Sequence, residues 1–455
     1  MGRSYYIEDT VEKYFSKIIQ LQKPYVTGLI IGQCCTQRDY VILAAQTPQK
    51  ENSEEPPKKP ILSKLDEIDD EWVSVHASQV GRMLPGGLLV LGVFLVTSPD
   101  LSKDSQNALR KLIFTVEKSS MKNRLWTSDD NDVSERVAVH ICSATRKITC
   151  RTFDVKDPKS TAKPADWKYQ NSALSWLTID CNVCVDVTIP LISSSSSYKE
   201  QQKSTRTGLA KWAKELDDII ILLNGQVKDK SSDLLEDQKK ARSVAHSSSQ
   251  MIKASIVKPS LLSNDTRSTA VVQTCKSSLR IQGIVKCRAY IQSTKAKVNE
   301  AFQALKRDIL NTIADRCEIL FEDIILNGPQ NESEKTTTPL PQRVFVPIHG
   351  SSVMLCDYVF GDESAEDLQN RFAEILDQDV RFDGIHFAEE KGSVNKADEN
   401  QDPDVSCHLD PLKESQPKAL NKNVTSSKLQ QNLGIVMAAA VAIVAVLLSF
   451  QYLLE

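Results

Sequence analysis

From Leu177 to Ile189 the chain alternates without a break. Leu177, Ile179, Cys181, Val183, Val185, Val187 and Ile189 share one face, and Thr178, Asp180, Asn182, Cys184, Asp186 and Thr188 share the other. A period of two predicts a long strand with one covered and one wet face. A contrasting pattern is Leu88–Val96, apolar at almost every position, which predicts a central strand buried on both sides. Helical spacing recurs at Val11, Tyr14, Phe15 and Ile18, with Asp9 or Thr10 as cap, then at Trp72, Val73, His76, Val80, Met83 and Leu84, and at Ala108, Leu109, Leu112, Ile113 and Val116.

Between these helices, Val26–Ile31 and Tyr40–Ala45 read as a hairpin, and Val137–Cys142 with Ile148–Phe153 as a second, turning at Ala144–Lys147. Gln46–Asp70, rich in Pro, Lys and Glu, reads as a loop, and Pro85-Gly86-Gly87 as a helix stop before the buried strand. Helices over a small mixed sheet give an α/β (α+β) unit across residues 1–160. A second α/β unit covers 170–388. Beyond the alternating strand it has a helix carrying Leu209, Trp212, Leu216, Ile219, Ile220 and Leu223, a strand over Leu279–Ile291 and a long helix from Val298 to Ile324. Strands over Arg343–Ile348 and Val353–Tyr358 and a helix over Leu368–Leu376 complete it. The polar stretch 226–268 reads as a disordered insertion and 389–429 as a flexible tether.

The last pattern is apolar on all sides. From Leu433 to Leu454 no residue is charged, and Leu433, Ile435, Val436, Met437, Val441, Ile443, Val444, Val446, Leu447, Leu448 and Phe450 leave no polar stripe. As a helix this run is about 33 Å long, enough for a hydrocarbon core of about 30 Å. A buried core helix is the alternative; continuous apolarity next to the chain end favours a transmembrane tail anchor. Lys422 and Lys428 precede the run and only Glu455 follows it, so the charge bias leaves the N-terminal part cytosolic. The modest Ala/Val hydrophobicity suits a thin bilayer, as in the endoplasmic reticulum.

Charge and cysteine content narrow the chemistry. A net charge of −3 gives no reason to expect nucleic acid. With no apolar signal-peptide core at Met1–Asp9, the eleven cysteines are expected as reduced thiols and the sequons at Asn264, Asn331 and Asn423 as unglycosylated. Cys181-Asn-Val-Cys184 is a lone CxxC whose sulfurs point to opposite faces of a strand, so they cannot share a metal. Cys34-Cys35 lies in a loop and raises the question of a nucleophile, but none of the six histidines can be assigned as its base. His76 on an apolar helix face and His140 within a strand read as structural. No P-loop, Rossmann fingerprint, HExxH or GxSxG is present. No cofactor, metal or catalytic residue is therefore expected.

Over about residues 5–155 the order of elements resembles the MPN (JAMM) domain. Active members of that family place His-x-His-Pro after the strand that here reads Gly92-Val-Phe-Leu-Val-Thr-Ser-Pro99. The histidine positions hold Leu95 and Thr97, or Val96 and Ser98 in the other register, so the resemblance implies a pseudoenzyme scaffold without zinc. A closer resemblance spans nearly the whole chain. Gly28–Cys34, Arg82-Met-Leu-Pro-Gly-Gly-Leu-Leu-Val-Leu-Gly-Val-Phe94, Pro164–Gln170, Asn224–Asp229 and the terminal anchor resemble the odorant-response-abnormal protein four family. That resemblance implies an endoplasmic reticulum membrane adaptor serving folding and trafficking of multi-pass receptors. It also implies a partner, the cysteine protease that removes the ubiquitin-fold modifier Ufm. The alternatives are a Ufm-directed hydrolase and a direct chaperone of receptor transmembrane segments. The first-helix residues Tyr14, Phe15 and Ile18 and the later Leu109, Leu112 and Val116 are candidate partner contacts, with the domain's own core as the competing use.

Deleting Leu433–Glu455 is expected to release the chain from membranes. Carbonate extraction checks this: the truncated chain should appear in the supernatant, and its retention in the pellet contradicts the anchor.

Overall fold

The strand that the sequence makes wholly apolar does lie at the centre of a sheet. The structure, a computed structural model, describes residues 2–36, 38–50, 65, 68–126, 133–170, 174–191, 197–235, 250–257, 275, 277–292, 296–328 and 337–398. Its first elements are β1 (Ser4–Glu8), α1 (Asp9–Gln20), β2 (Tyr25–Cys34), β3 (Arg38–Gln46), α2 (Asp70–Arg82), β4 (Leu89–Thr97), α3 (Ser105–Asn123), β5 (Glu135–Cys142), β6 (Ile148–Asp154), β7 (Lys163–Pro164) and β8 (Asp166–Gln170). The eight strands form one mixed sheet in the order β7-β6-β5-β4-β2-β3-β1-β8. Strand β4 runs antiparallel to β2 and parallel to β5, and Val93, Phe94 and Leu95 are fully buried.

Each face of this sheet needs a cover because both carry apolar side chains. Helix α1 covers one face through Val11, Phe15 and Ile18, with the Phe15 and Phe94 rings edge to face at 5.2 Å. Helices α2 and α3 cover the other face through Val73, Val80, Leu109, Leu112 and Val116. Burying each such side chain contributes about 1.5–3 kcal/mol. Asp69 starts α2 by accepting the Trp72 N–H at 2.9 Å, which supplies an N-cap.

A second sheet follows from the alternating segment. The remaining elements are β9 (Trp176–Leu191), α4 (Tyr198–Glu215), β10 (Ile220–Leu223), β11 (Gln226–Val227), β12 (Gln250–Val257), β13 (Ser277–Gln292), α5 (Val298–Asn327), β14 (Thr337–Pro339), β15 (Gln342–Pro347), β16 (Met354–Val359), α6 (Ala365–Leu376), β17 (His386–Phe387) and β18 (Lys391–Asp398). Seven strands pair in the order β11-β10-β12-β9-β13-β18-β14, and β16-β15-β17 form a small third sheet. Strands β9 and β13 pair antiparallel along their whole length, from Trp176 opposite Gln292 to Leu191 opposite Ser277. Their buried face packs on α4 and α5. The polar face carries cross-strand pairs, Arg280 with Asp186 and Arg288 with Asp180.

Several expectations need correction. The unit boundary does not follow the chain: β15, β16 and α6 share the core of the first sheet, through Val344, Leu355, Leu368 and Phe372, so the second unit is not a continuous 170–388. The helix expected to reach Leu223 stops at Glu215, because Ile220–Leu223 extend into the sheet against β12. Within the stretch expected to be disordered, Met251–Ile256 are paired with β10 or β9, and Leu234 is buried. The tether begins later than 389, since β18 pairs with β13 as far as Asp398. Strand β1, unforeseen, enters the first sheet parallel to both neighbours. Among the described residues no helix is long and apolar enough to cross a membrane; residues 433–454 lie outside the described residues.

One buried carboxylate ties the two sheets together where β1 meets α1. Glu8 accepts hydrogen bonds from Trp176 Nε1 at the head of β9 and from Ser351 Oγ after β15, both at 3.3 Å. Burial pushes its carboxyl from 4.5 up to about 7, and the two hydrogen bonds only partly oppose that. Between these values the folded chain keeps a proton that the unfolded chain has released, so stability falls as pH rises through the window. Glu8→Gln, which mimics the protonated form, should exceed the parent by about 1–3 kcal/mol above about pH 8 and match it below about pH 4. Urea unfolding at both pH values checks this; a difference independent of pH contradicts it.

Candidate functional site

The segment after α2 joins the two sheets. Helix α2 ends at Arg82, and Met83-Leu-Pro-Gly-Gly87 then runs alongside the far end of β13. The Gly86 N–H donates to Arg288 O at 3.0 Å, and the Tyr290 N–H donates back to Gly86 O at 2.8 Å, a short parallel bridge between the halves. A Cβ on Gly86 would lie 2.3 Å from Ala304 O, and one on Gly87, whose φ is +85°, 2.0 Å from Tyr290 O. Only glycine allows so close a backbone approach, so the two glycines do more than stop a helix. Gln33 from β2 seals the joint. Its Nε2 donates to Tyr290 O at 2.9 Å, and its Oε1 accepts from the Gln292 N–H at 2.8 Å.

Beneath the joint lies a charged network with almost no access to water. The Asp308 carboxylate of α5 accepts from the backbone N–H of Gly86 (2.9 Å) and Arg288 (2.8 Å). It also takes both terminal nitrogens of Arg343 at 2.8 Å. The side chains of Asp308 and Arg343 are 0 and 1% exposed. Nearby, Glu390 pairs with Arg316 and accepts the backbone N–H of Arg343 (2.8 Å) and Lys286 (2.9 Å). Arg343 also lies over the Phe345 ring at 4.9 Å. A buried ion pair needs its spare hydrogen-bonding positions filled; here backbone amides from the joint, β13 and β15 fill most of them.

Above the joint a cleft of about 1150 Å³ opens between α2 and α3 on one side and α4 and α5 on the other. Its floor includes Leu84, Trp126, Leu209, Ile291 and Phe321. Arg82 reaches from α2 to Glu322 on α5 at 2.9 Å. Arg136 and Arg124 both pair with Glu117, at 2.9 and 3.2 Å.

The residues singled out from sequence divide plainly. Tyr14, Phe15, Ile18, Leu109, Leu112 and Val116 belong to the chain's own core or pack against it. Their apolar faces cover the first sheet and are not a free surface. Tyr14 is partly covered, and its hydroxyl accepts the Gln46 N–H at 2.8 Å. The anchor residues from Leu433 to Phe450 lie outside the described residues. Cys181 is buried and Cys184 exposed, on opposite faces of β9, and all ten described cysteines are free. Among the described residues no group of three or more His, Cys, Asp or Glu could hold a metal ion. At the positions where the MPN resemblance would place the zinc ligands, Leu95 and Thr97 are fully buried and Val96 nearly so.

Among the described residues no thiol is hydrogen-bonded to a histidine. Burial pushes the Cys34 thiol up to about 12 and raises Cys35 as well, the reverse of what a nucleophile needs. Cys142 differs: hydrogen bonds from Thr145 hold its thiol below the ordinary value. The neighbouring His140 Nε2 is engaged by Thr97 Oγ1 at 2.9 Å. His76 is buried under α6, its Nε2–H donating to Ile375 O at 2.7 Å, and burial lowers its pKa to about 4. It is therefore neutral and structural at ordinary pH.

Sequence reasoning missed Gln33, Asp308, Arg316, Arg343 and Glu390. Asp308 and Arg316 flank the apolar stripe of α5, and period counting treats charged residues there as solvated. The one available signal was the length of α5, thirty residues with buried positions on most of its faces.

Comparison with known proteins places the whole chain in context. A family model described as Odorant response abnormal 4-like matches residues 28–387. The chain is 63% identical over 455 residues to Protein odr-4 homolog of Xenopus tropicalis, covering 100% of each. It is 50% identical over 456 residues to Protein odr-4 homolog of Homo sapiens, covering 99% of each. Among solved structures, UfSP from C. elegans matches with a TM-score of 0.45 at 7% identity, over 83% of this chain and 57% of that one.

Asp308→Ala should destabilise the chain by about 3–5 kcal/mol, because it leaves the buried Arg343 guanidinium without its counter-charge and the Arg288 N–H without its acceptor. Urea unfolding measures it, and a loss under about 1 kcal/mol contradicts the role given to this carboxylate.

Proposed function

This chain belongs to the Odorant response abnormal 4-like family, and on that premise we propose that it is a non-catalytic adaptor of the endoplasmic reticulum membrane. In this reading residues 433–454 anchor it as a single pass with the N-terminus cytosolic. The folded part binds the Ufm-specific cysteine protease and holds it at the membrane, where the pair supports folding and trafficking of multi-pass receptors.

The observation that carries the reading is the family match from 28 to 387, which takes in the joint, its buried ion pair and the cleft. The chemistry agrees with it in kind. The two vicinal thiols are raised by burial, and two of the four described histidines, His76 and His140, are bonded to Ile375 O and Thr97 Oγ1. The bulk of the described chain is a pair of sheets joined through backbone hydrogen bonds. The cleft of about 1150 Å³ supplies a surface for binding, and the reach to membrane-bound substrates comes from the polar chain between Asp398 and the apolar run.

The test uses a tagged full-length chain and the protease expressed together. The protease should co-purify with the chain in the membrane fraction and move to the soluble fraction when 433–455 are deleted. Incubating the purified chain alone with a Ufm conjugate should release no Ufm. Release by the chain alone would make it a hydrolase, and failure to recover the protease in either fraction would remove the adaptor role.

A further inference from the structure

The cleft above the joint has a charge that the chain as a whole lacks. Of its described lining residues nine are Lys or Arg and four are Asp or Glu, a surplus of five positive charges among them in a chain of net charge −3. Part of the surplus is matched within the protein: Glu117 holds Arg124 and Arg136, Glu318 meets Arg82, and Asp233 holds Lys297. Lys199, Lys203 and Lys230 form no ion pair among the described residues.

The arrangement of these cations is regular. Lys199, Lys203 and Arg206 stand at i, i+4 and i+7 on α4, so one stripe of that helix turns a single sign of charge to the cleft. Like charges four apart destabilise a helix, and an anion set against them relieves the repulsion. The amino ends of α4 and α5 both open here, at Lys199 and at Lys297–Glu300, and each helix dipole adds positive potential. Low-dielectric walls focus such a field. The floor, by contrast, is apolar, with Trp126, Leu209, Ile291 and Phe321, and Arg307 lies over the Trp126 ring at 5.8 Å.

We propose that this cleft is a docking groove for an acidic, extended peptide segment of a partner protein, one that also carries a large apolar side chain. Size, sign and floor each select that class. At about 1150 Å³ the cleft exceeds the about 300–1,000 Å³ usual for a small-molecule pocket. A membrane surface offers anions in a plane, whereas these lysines rim a concavity. A peptide brings carboxylates for the rim and an aliphatic or aromatic anchor for the floor in one ligand. The inference does not rest on which partner the adaptor reading names. Residues 127–132, with Asp129, Asp130 and Asp132, connect the lining residues Trp126 and Val133 and lie outside the described residues.

The probe is a short fluorescein-labelled peptide of alternating Glu or Asp with Leu or Phe, read by anisotropy with the full-length chain in non-ionic detergent. Two control peptides replace the acids by Lys or the apolar residues by Gly. The acidic apolar peptide should bind, weaken as salt is raised, and lose about tenfold or more in affinity on Lys199→Glu with Lys203→Glu. Reversing Lys211 and Lys214, on the same helix but outside the cleft, should leave binding unchanged and serves as the folding control. Equal loss in both double variants, equal binding of the Lys peptide, or no binding at all would overturn the proposal. So would binding that appears only after Asp129, Asp130 and Asp132 are changed to Asn, which assigns the cleft to the chain's own segment. Capture of the chain by phosphatidylserine vesicles through Lys199 and Lys203, without peptide binding, would overturn it in favour of a lipid surface.

Discussion

The Asp308 carboxylate is the point on which the two halves of this molecule depend. Four hydrogen bonds converge on it, from Gly86, Arg288 and both terminal nitrogens of Arg343. The donors come from the α2–β4 connection, from β13 and from β15, so one side chain of α5 fixes three other segments at once. Taking both ions of such a pair out of water costs several kcal/mol each, and their attraction alone does not guarantee a return. The amide donors change that balance, because they too are buried and need an acceptor. What the network adds is geometry: one carboxylate holds the joint, β13 and β15 in a fixed relation through directional hydrogen bonds.

That geometry explains why the fold ignores chain order. The first sheet starts with β1, and its second face is finished by β15, β16 and α6, whose residues come long after the second sheet has begun. Glu8 repeats the device on a smaller scale, tying β1 to the head of β9 and to Ser351. With backbone bridges at Gly86 and side-chain seals from Gln33, the second sheet continues the first body rather than hanging from it by a linker. The cleft between α2, α3, α4 and α5 lies where these contacts bring the two sheets together.

Legibility from sequence followed burial symmetry. Strand β4, buried on both faces, and β9, with one face wet, were readable because each has a single clean pattern, and the helices that cover the first sheet followed from their apolar spacing. Strand β18 escaped because Val394 is the one large apolar residue in Lys391–Asp398, and strand pairing there depends on its neighbour β13. The extra length given to α4 arose from Ile219, Ile220 and Leu223, which fit a helical period by chance, whereas Ile220–Leu223 pair with β12. At the joint, the Arg82–Phe94 motif was conspicuous, yet its purpose needs Tyr290 and Asp308, more than two hundred residues away. No local pattern announces a contact of that range. The apolar helix faces offered as partner contacts lie in or against the chain's own core for a related reason: a sheet with two apolar faces needs helices on both.

Native-state hydrogen exchange on the full-length chain tests the central claim most directly. If the joint makes one cooperative body, the amides of Gly86, Arg288, Tyr290 and Gln292 exchange only through global unfolding, with the same opening free energy as the core of β4 and β9. Opening of these four amides at distinctly lower free energy, while β4 and β9 stay protected, would show two bodies that part at the joint and would contradict the account.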